Sequence, residues 1–99
     1  MAINRLVISP IARDDLKKIF QYSNLNWGAS RATSYLDSLK EQLWSLTDHP
    51  EKGIQRDELL PALRSLVVGG HIVFYRKQSQ QIEVIRVLHS RQYPQIHLK

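Results

Sequence analysis

Two segments in the first half of the chain repeat apolar or small residues every three or four positions. The first stripe comprises Ala12, Leu16, Ile19, Phe20, Ser23 and Trp27, and the second comprises Ala32, Tyr35, Leu36, Leu39, Leu43 and Leu46. This spacing is typical of one face of an amphipathic helix that packs on a core. It predicts helices over residues 11–27 and 29–47, with both stripes buried. Trp44 falls off the second stripe, where it either covers a loop or lies exposed.

The residues between these stripes indicate where each helix begins and ends. Ser9 and Pro10 provide an N-cap followed by proline at the first helical position. Gly28 is suited to end the first helix, because glycine readily adopts the backbone conformation that terminates helices. The segment DHPEKG, residues 48–53, contains the proline and glycine that end the second helix.

Four segments have the composition of β-strands. Residues 3–9 alternate along the chain, and LRSLVV (63–68), HIVFYR (71–76) and IEVIRVLH (82–89) are rich in branched and aromatic residues. Gly69-Gly70 predicts a two-residue hairpin turn, and KQSQQ (77–81) predicts a second, looser hairpin. Both faces of the 71–76 segment are apolar, so we expect it to be a central strand covered on both sides.

The predicted order of elements is β-α-α-β-β-β. Two amphipathic helices need an apolar surface to pack on, and a twisted antiparallel sheet supplies one. We therefore predict an α+β fold in which an antiparallel sheet packs against a two-helix hairpin. At 99 residues, we expect the chain (1–99) to form a single domain.

Composition excludes several classes of site. The chain has no cysteine, so it has neither a disulfide framework nor a thiolate metal site, and it has no His-Glu-x-x-His motif. We expect no metal and no cofactor. Residues 1–10 do not resemble a signal peptide, and no apolar run is long enough to span a membrane. We therefore expect a cytoplasmic protein without a membrane partner.

The distribution of charge points to an anionic partner. The net charge is +5, and the whole excess lies in residues 64–99, where Glu83 is the single acid. A one-sided basic segment of this kind indicates binding to nucleic acid or to an acidic protein segment. Arg76 is a possible cross-strand partner for Glu83.

The segment VIRVLHSRQYP (84–94) raises the question of catalysis. Metal-free RNA cleavage needs a base, an acid and cations that stabilise the developing phosphorane charge. The residue types that could supply these roles are His71 or His89, the arginines Arg64, Arg86 and Arg91, and Tyr75 or Tyr93. Any basic sheet offers a similar set, so a basic surface that only binds a partner remains an open alternative.

Four segments together resemble the toxins of the ParE/RelE superfamily, from bacterial type II toxin–antitoxin systems. They are SPIARDDLKKIFQYSNLNWG, LTDHPEKG, ELLPALRSLVVGGHIVFYR and IEVIRVLHSRQYP, and they cover nearly the whole chain. The resemblance implies the β-α-α-β-β-β fold. It also implies one of two activities: ParE-type toxins trap the cleaved-DNA complex of DNA gyrase, whereas RelE-type toxins cut mRNA on the ribosome.

Of two arginine positions that RelE-type enzymes carry, this chain keeps one, and the absence of the other favours the ParE type within this resemblance. Arg91 matches an arginine that RelE-type enzymes carry near the end of the last strand. The second RelE-type arginine falls in a Gly-Tyr-Arg-like motif, which here reads Gly70-His71-Ile72. The resemblance thus implies a non-catalytic gyrase poison. The alternative is a RelE-like ribosome-dependent endoribonuclease with Arg91, His89 and Tyr93 as catalytic residues.

The resemblance also implies the partners. A ParD-like antitoxin would bind operator DNA through its N-terminal domain and neutralise the toxin with a C-terminal segment that folds on residues 11–27 and 29–47. DNA gyrase would be the second partner. From charge and position we predict the following partner-binding residues: Arg64, Arg76, Arg86, His89, Arg91, Tyr93 and the aromatic anchor Trp44.

Overall fold

A computed structural model describes residues 4–98 and confirms the predicted α+β fold. The elements in chain order are β1 (Arg5–Ile8), α1 (Pro10–Trp27), α2 (Ala29–Asp48), a 3-10 turn (Pro50–Lys52), β2 (Ile54–Gln55), β3 (Leu63–Val68), β4 (His71–Gln78), β5 (Gln81–His89) and α3 (Pro94–His97). The sequence pattern did not predict β2 and α3, because elements this short carry no detectable periodicity. Ile3, which we included in the first strand, lies outside the described residues.

The sheet is mixed, whereas the sequence predicted a wholly antiparallel one. Its strand order is β1-β5-β4-β3-β2. Strands β2 to β5 pair antiparallel, but β1 runs parallel to β5, with Arg5 opposite Gln81 and Ile8 opposite Val84. Both long helices and three other strands separate β1 from β5 along the chain, so no hairpin constrains their relative direction.

Both hairpin turns of the sheet contain two residues. Gly69, with φ of +58°, begins the β3–β4 turn as predicted, and a Cβ added there would lie 2.9 Å from the Tyr35 ring. The β4–β5 turn is Ser79-Gln80, with Ser79 at φ of +55°. This second turn is tighter than predicted, because β4 continues to Gln78 and β5 begins at Gln81.

The helix boundaries follow the predicted capping residues. Ser9 accepts a hydrogen bond from the backbone N–H of Ala12 at 3.0 Å, and its hydroxyl donates to the carbonyl of Ile85 at 2.9 Å. The cap therefore also ties the start of α1 to β5. Gly28, with φ of +89°, separates α1 from α2. None of the helices within residues 4–98 is both long and apolar enough to cross a membrane.

Apolar residues cover both faces of the sheet. The helices pack on one face, where Leu39, Leu43 and Leu46 meet Val73 and Tyr75. The opposite face carries a smaller cluster of four buried residues: Leu63, Phe74, Leu88 and Leu98. This arrangement confirms that β4 is a central strand covered on both sides.

One of the two predicted helical stripes needs correction. The α2 stripe is buried as expected, apart from the half-buried Tyr35. On α1, however, Phe20 is 36% exposed and Trp27 is 53% exposed. Helix α1 packs chiefly against α2 and β5, so its buried face consists of the five residues at these contacts: Ala12, Asp15, Leu16, Ile19 and Ser23.

Candidate partner-binding site

A cleft of about 790 Å³ lies between α1 and the end of β5. We call it the α1–β5 cleft. Lys18, Tyr22 and Trp27 of α1 line one side. His71 and the segment from His89 to Gln92 line the other, and the floor includes Asp15, Arg86 and Val87.

A buried ion pair forms the floor of this cleft. The Arg86 guanidinium donates to both carboxylate oxygens of Asp15, at 2.8 and 2.9 Å, and to the carbonyl of His97 at 2.9 Å. The Asp15 carboxylate also accepts the backbone N–H of Val87 at 3.0 Å. These hydrogen bonds to Asp15 raise the pKa of Arg86 above its ordinary value. Both side chains are nearly enclosed, with 17% of Arg86 and 10% of Asp15 exposed.

Arg86, which we predicted to bind a partner, is thus held by acceptors within the chain. The register explains why the pair is needed, since β1 pairs with β5 only as far as Val84. Beyond that point the edge of β5 needs another acceptor for the Val87 N–H, and Asp15 of α1 provides it. Arg86 then compensates the buried carboxylate.

Two further predicted arginines are also engaged within the chain. Arg76 donates to Glu83 at 3.0 Å from the directly opposite position on β5, which confirms the suggested cross-strand pair. Arg64 donates to the carbonyls of Glu51 and Gly53, at 3.3 and 2.6 Å, and so holds the turn that follows α2.

A tyrosine and two histidines meet where the cleft reaches the β3–β4 turn. The Tyr35 hydroxyl lies 2.6 Å from Nδ1 of His71 and donates toward the carbonyl of Val68 at 3.2 Å. The His71 and His89 rings are nearly perpendicular, with centroids 5.4 Å apart. Burial, and then the neighbouring His89, lower the pKa of His71 below its ordinary 6.5 and so favour the neutral imidazole. Burial also raises the pKa of Tyr35.

The turn after β5 fixes the tautomer of His89 and exposes Arg91. The backbone N–H of Arg91 donates to Nδ1 of His89 at 3.1 Å. A neutral His89 ring therefore carries its hydrogen on Nε2, where it is a hydrogen-bond donor. The Arg91 side chain is exposed, and it forms no ion pair with any acid among residues 4–98.

The predicted aromatic residues lie outside the cleft. Tyr93 is 69% exposed and has an extended backbone just before α3, as expected for a residue that precedes proline. Trp44 is 63% exposed on α2, which decides between the two alternatives left open for it. Of the predicted partner-binding residues, the cleft therefore brings together three: Arg86 in its floor, and His89 and Arg91 at the end of β5.

Several residues of the cleft lining were not predicted as functional candidates from the sequence. Tyr35 and Trp27 were assigned to buried stripes, whereas Lys18 and Tyr22 were assigned no role. A signal was present on α1, because Asp15, Lys18 and Tyr22 repeat with helical spacing directly beside the buried stripe. Residues beside a buried helical stripe lie next to the element on which the stripe packs. For α1 that element is β5, so these residues line the cleft.

Comparison with known proteins identifies the family. Residues 6–94 match the family model for the ParE toxin of the type II toxin–antitoxin system parDE. The chain belongs to the ParE toxin family. It is 34% identical to toxin ParE1 of Caulobacter vibrioides over 92% of this chain and 94% of the relative. It is 35% identical to toxin ParE1 of Mycobacterium tuberculosis over 89% of this chain and 91% of the relative.

Solved structures show that this ParE family member shares the superfamily fold. A chain from the chromosomal ParDE toxin–antitoxin system of P. aeruginosa superposes with a TM-score of 0.78. It is 20% identical, over 90% of this chain and 98% of that one. A chain of the toxin–antitoxin complex RelBE2 from Mycobacterium tuberculosis superposes with a TM-score of 0.64. It is 21% identical, over 87% of this chain and 96% of that one.

Proposed function

We propose that this ParE family toxin acts in the cytoplasm as a non-catalytic poison of DNA gyrase, trapping the enzyme's complex with cleaved DNA. Residues 1–99 would act as one toxin domain. The observation that carries the proposal is the environment of Ile72. This residue occupies the position at which the RelE-type resemblance would require an arginine that contacts phosphate.

Ile72 serves packing in this fold. It lies opposite Leu88 in the sheet and packs against the cluster that contains Leu63 and Phe74. An isoleucine there can neither bind phosphate nor transfer a proton. The nearby Arg86 cannot substitute, because Asp15 and the His97 carbonyl hold its guanidinium. Of the three residues in the RNase alternative, His89 and Arg91 line the cleft and Tyr93 does not.

In this account the turn after β5 binds the target. Arg91 and His89 are both exposed there and carry hydrogen-bond donors with no acidic partner among the described residues. Charge and donors of this kind suit contacts with a protein–DNA complex. They require no bond to be made or broken by the toxin itself.

The second proposed partner is a ParD-like antitoxin. Its C-terminal segment would fold along the outer groove between α1 and α2, which is lined by Leu16, Phe20 and Leu36 and flanked by Lys17 and Lys40. A segment that folds on binding needs apolar surface to offset its ordering entropy. Exposed Trp44 on α2 would add an anchor. Operator DNA would be bound through the antitoxin.

The direct test is to incubate purified gyrase, ATP and supercoiled plasmid with the folded toxin. We expect linear, cleaved DNA to accumulate and supercoiling to fall, and we expect the antitoxin to reverse both effects. Gyrase that continues to supercoil without accumulating cleaved DNA would contradict the proposal, provided that circular dichroism shows folded toxin.

One observation favours a second candidate function, the RelE-like endoribonuclease. His71, His89 and Arg91 line the same cleft, and the first two have adjoining rings. A neutral His71 can act as a base, and a nearby guanidinium can stabilise charge on phosphate. Primer extension on ribosome-bound mRNA would detect this activity. Toxin-dependent cuts that vanish with His89→Ala would favour the nuclease over the gyrase poison.

A further inference from the structure

Two exposed aromatic rings border the α1–β5 cleft beyond the histidines. Tyr22 is 64% exposed and Trp27 is 53% exposed, and their ring centroids lie 6.3 Å apart in an edge-to-face arrangement. Both line the cleft from the last turns of α1. Because neither ring packs into a core cluster, the fold does not require two aromatic residues at these positions.

The side chains beside these rings are cationic or hydrogen-bond donors. Arg91 lies exposed in the lining, and His89, whose Nδ1 accepts the Arg91 N–H, presents its Nε2–H. Lys18 pairs with Asp14 at 3.1 Å, but 72% of the lysine side chain is exposed. A pair this exposed contributes little, so Lys18 can turn to another anion at small cost.

The carboxylate in the lining does not oppose an anionic ligand. Asp15 receives two hydrogen bonds from Arg86 and one from the Val87 N–H. Its charge is therefore compensated within the floor. The cleft combines a neutralised floor, a cationic rim and two stacking surfaces.

We propose that the α1–β5 cleft binds single-stranded nucleic acid, with a base stacked on Tyr22 or Trp27 and phosphates held by Lys18 and Arg91. An acidic peptide would use the cations equally well but would leave the aromatic faces without a planar partner. Stacking on aromatic side chains and cations that follow the backbone are the two means by which proteins hold single strands. This binding activity shares Arg91 with the gyrase proposal, but it does not depend on gyrase and needs no catalysis.

The test is fluorescence anisotropy of a labelled oligo-dT of about twelve nucleotides, a length within single-strand site sizes, titrated with the full chain. We expect saturable binding that weakens as salt rises. Trp27→Ala should weaken binding about 5- to 100-fold through lost stacking. Arg91→Ala should reduce the slope of log K against log salt by about 0.7, as expected for one phosphate contact on a single strand.

Matched controls come from the same chain. Leu25→Ala removes an apolar side chain that is 86% exposed on α1 but absent from the cleft lining, and Arg5→Ala removes an exposed cation from β1. Both should bind within about twofold of the parent chain, since surface changes away from a site have small effects. Oligo-rU in place of oligo-dT tests which sugar is preferred, and binding of either strand through Trp27 supports the proposal.

Three outcomes would overturn the proposal: no binding by folded protein, equal losses in Trp27→Ala and Leu25→Ala, or tighter binding of a labelled oligoglutamate. The last would identify the cleft as a site for an acidic protein segment. If the chain fails to bind oligonucleotides but still poisons gyrase, the nucleic-acid proposal is wrong and the proposed function stands.

Discussion

The floor and the rim of the α1–β5 cleft each carry an arginine, but the floor arginine is ion-paired and nearly enclosed whereas the rim arginine is exposed. At the floor, Arg86 is held by a buried carboxylate and a carbonyl, and its side chain is 17% exposed. At the rim, Arg91 is exposed and has no acidic partner among the described residues. The two arginines are near neighbours in sequence. Their difference shows that a basic residue becomes a binding group only where the fold leaves it without a partner.

The largest expected effect on stability comes from removing the Arg86–Asp15 ion pair in the floor. Arg86→Met would leave the Asp15 carboxylate buried without its cation, so we expect the free energy of unfolding to fall by about 3–5 kcal/mol. Urea denaturation measures this change. The double variant Arg86→Met/Asp15→Asn should recover part of the loss, because the remaining amide oxygen can still accept the Val87 N–H. An unchanged urea midpoint in the single variant would show that the pair does not support the fold.

A smaller loss is expected at the turn that closes one end of the cleft. In Gly69→Ala, the new Cβ would meet the Tyr35 ring at 2.9 Å, at a backbone φ of +58°. The left-handed conformation alone costs a non-glycine residue about 1–2 kcal/mol, and displacement of Tyr35 adds to it. Thermal unfolding measures the change. The same substitution in a Tyr35→Ala background provides the control, because it keeps the positive φ and removes the ring that the new Cβ would meet. An equal loss from Gly69→Ala in both backgrounds would argue against the Tyr35 contact.

The pH dependence of stability should report on the half-buried histidine in the wall of the cleft. Burial lowers the pKa of His71 in the folded chain below 6.5, its ordinary value in an unfolded chain. At pH values between these two pKa values, the unfolded chain therefore binds more protons than the folded chain. The contribution of the neutral His71 to the free energy of unfolding is complete above pH 6.5. It declines as the pH falls from 6.5 through the lower pKa of the folded chain. His71→Gln should reduce the slope of the urea midpoint against pH across this acid range. A slope unchanged by His71→Gln would contradict the assignment.

The rim should tolerate change with the smallest effect on stability. Arg91→Glu alters an exposed side chain in a turn, so we expect the free energy of unfolding to change by about 0.5 kcal/mol or less. The same denaturation experiment measures it beside Arg86→Met. A loss as large as that of the floor variant would mean that the rim is structural too, and the contrast between the two regions would fail.

Local patterns in the sequence predicted most of the architecture. The α2 stripe, the Ser9 cap and the Gly69-Gly70 turn each depend on neighbouring residues, and the Arg76–Glu83 pair follows from one hairpin register. The features that the sequence did not predict depend on contacts between residues far apart in the chain. The Arg86–Asp15 pair joins residues 71 apart, and the parallel pairing of β1 with β5 spans a similar distance. Neither leaves a local signal.

The cleft was missed for the same reason. Its two sides come from α1 and from the end of β5, which the parallel β1–β5 pairing brings together. Trp27 fitted the helical stripe in sequence but lies beyond the narrow contact with β5, so it is half exposed. His89 and Arg91 were identified because charge asymmetry and family resemblance both pointed to the last strand.

The central claim is that the turn after β5 binds gyrase and performs no chemistry. The most direct measurement is the gyrase DNA-cleavage assay with Arg91→Glu, His89→Ala and the charge-reversal control Arg5→Glu, each shown to be folded. We predict that Arg91→Glu loses most of the cleaved DNA, whereas His89→Ala retains much of it and Arg5→Glu matches the parent chain. Complete loss with His89→Ala while Arg91→Glu stays active would contradict the account.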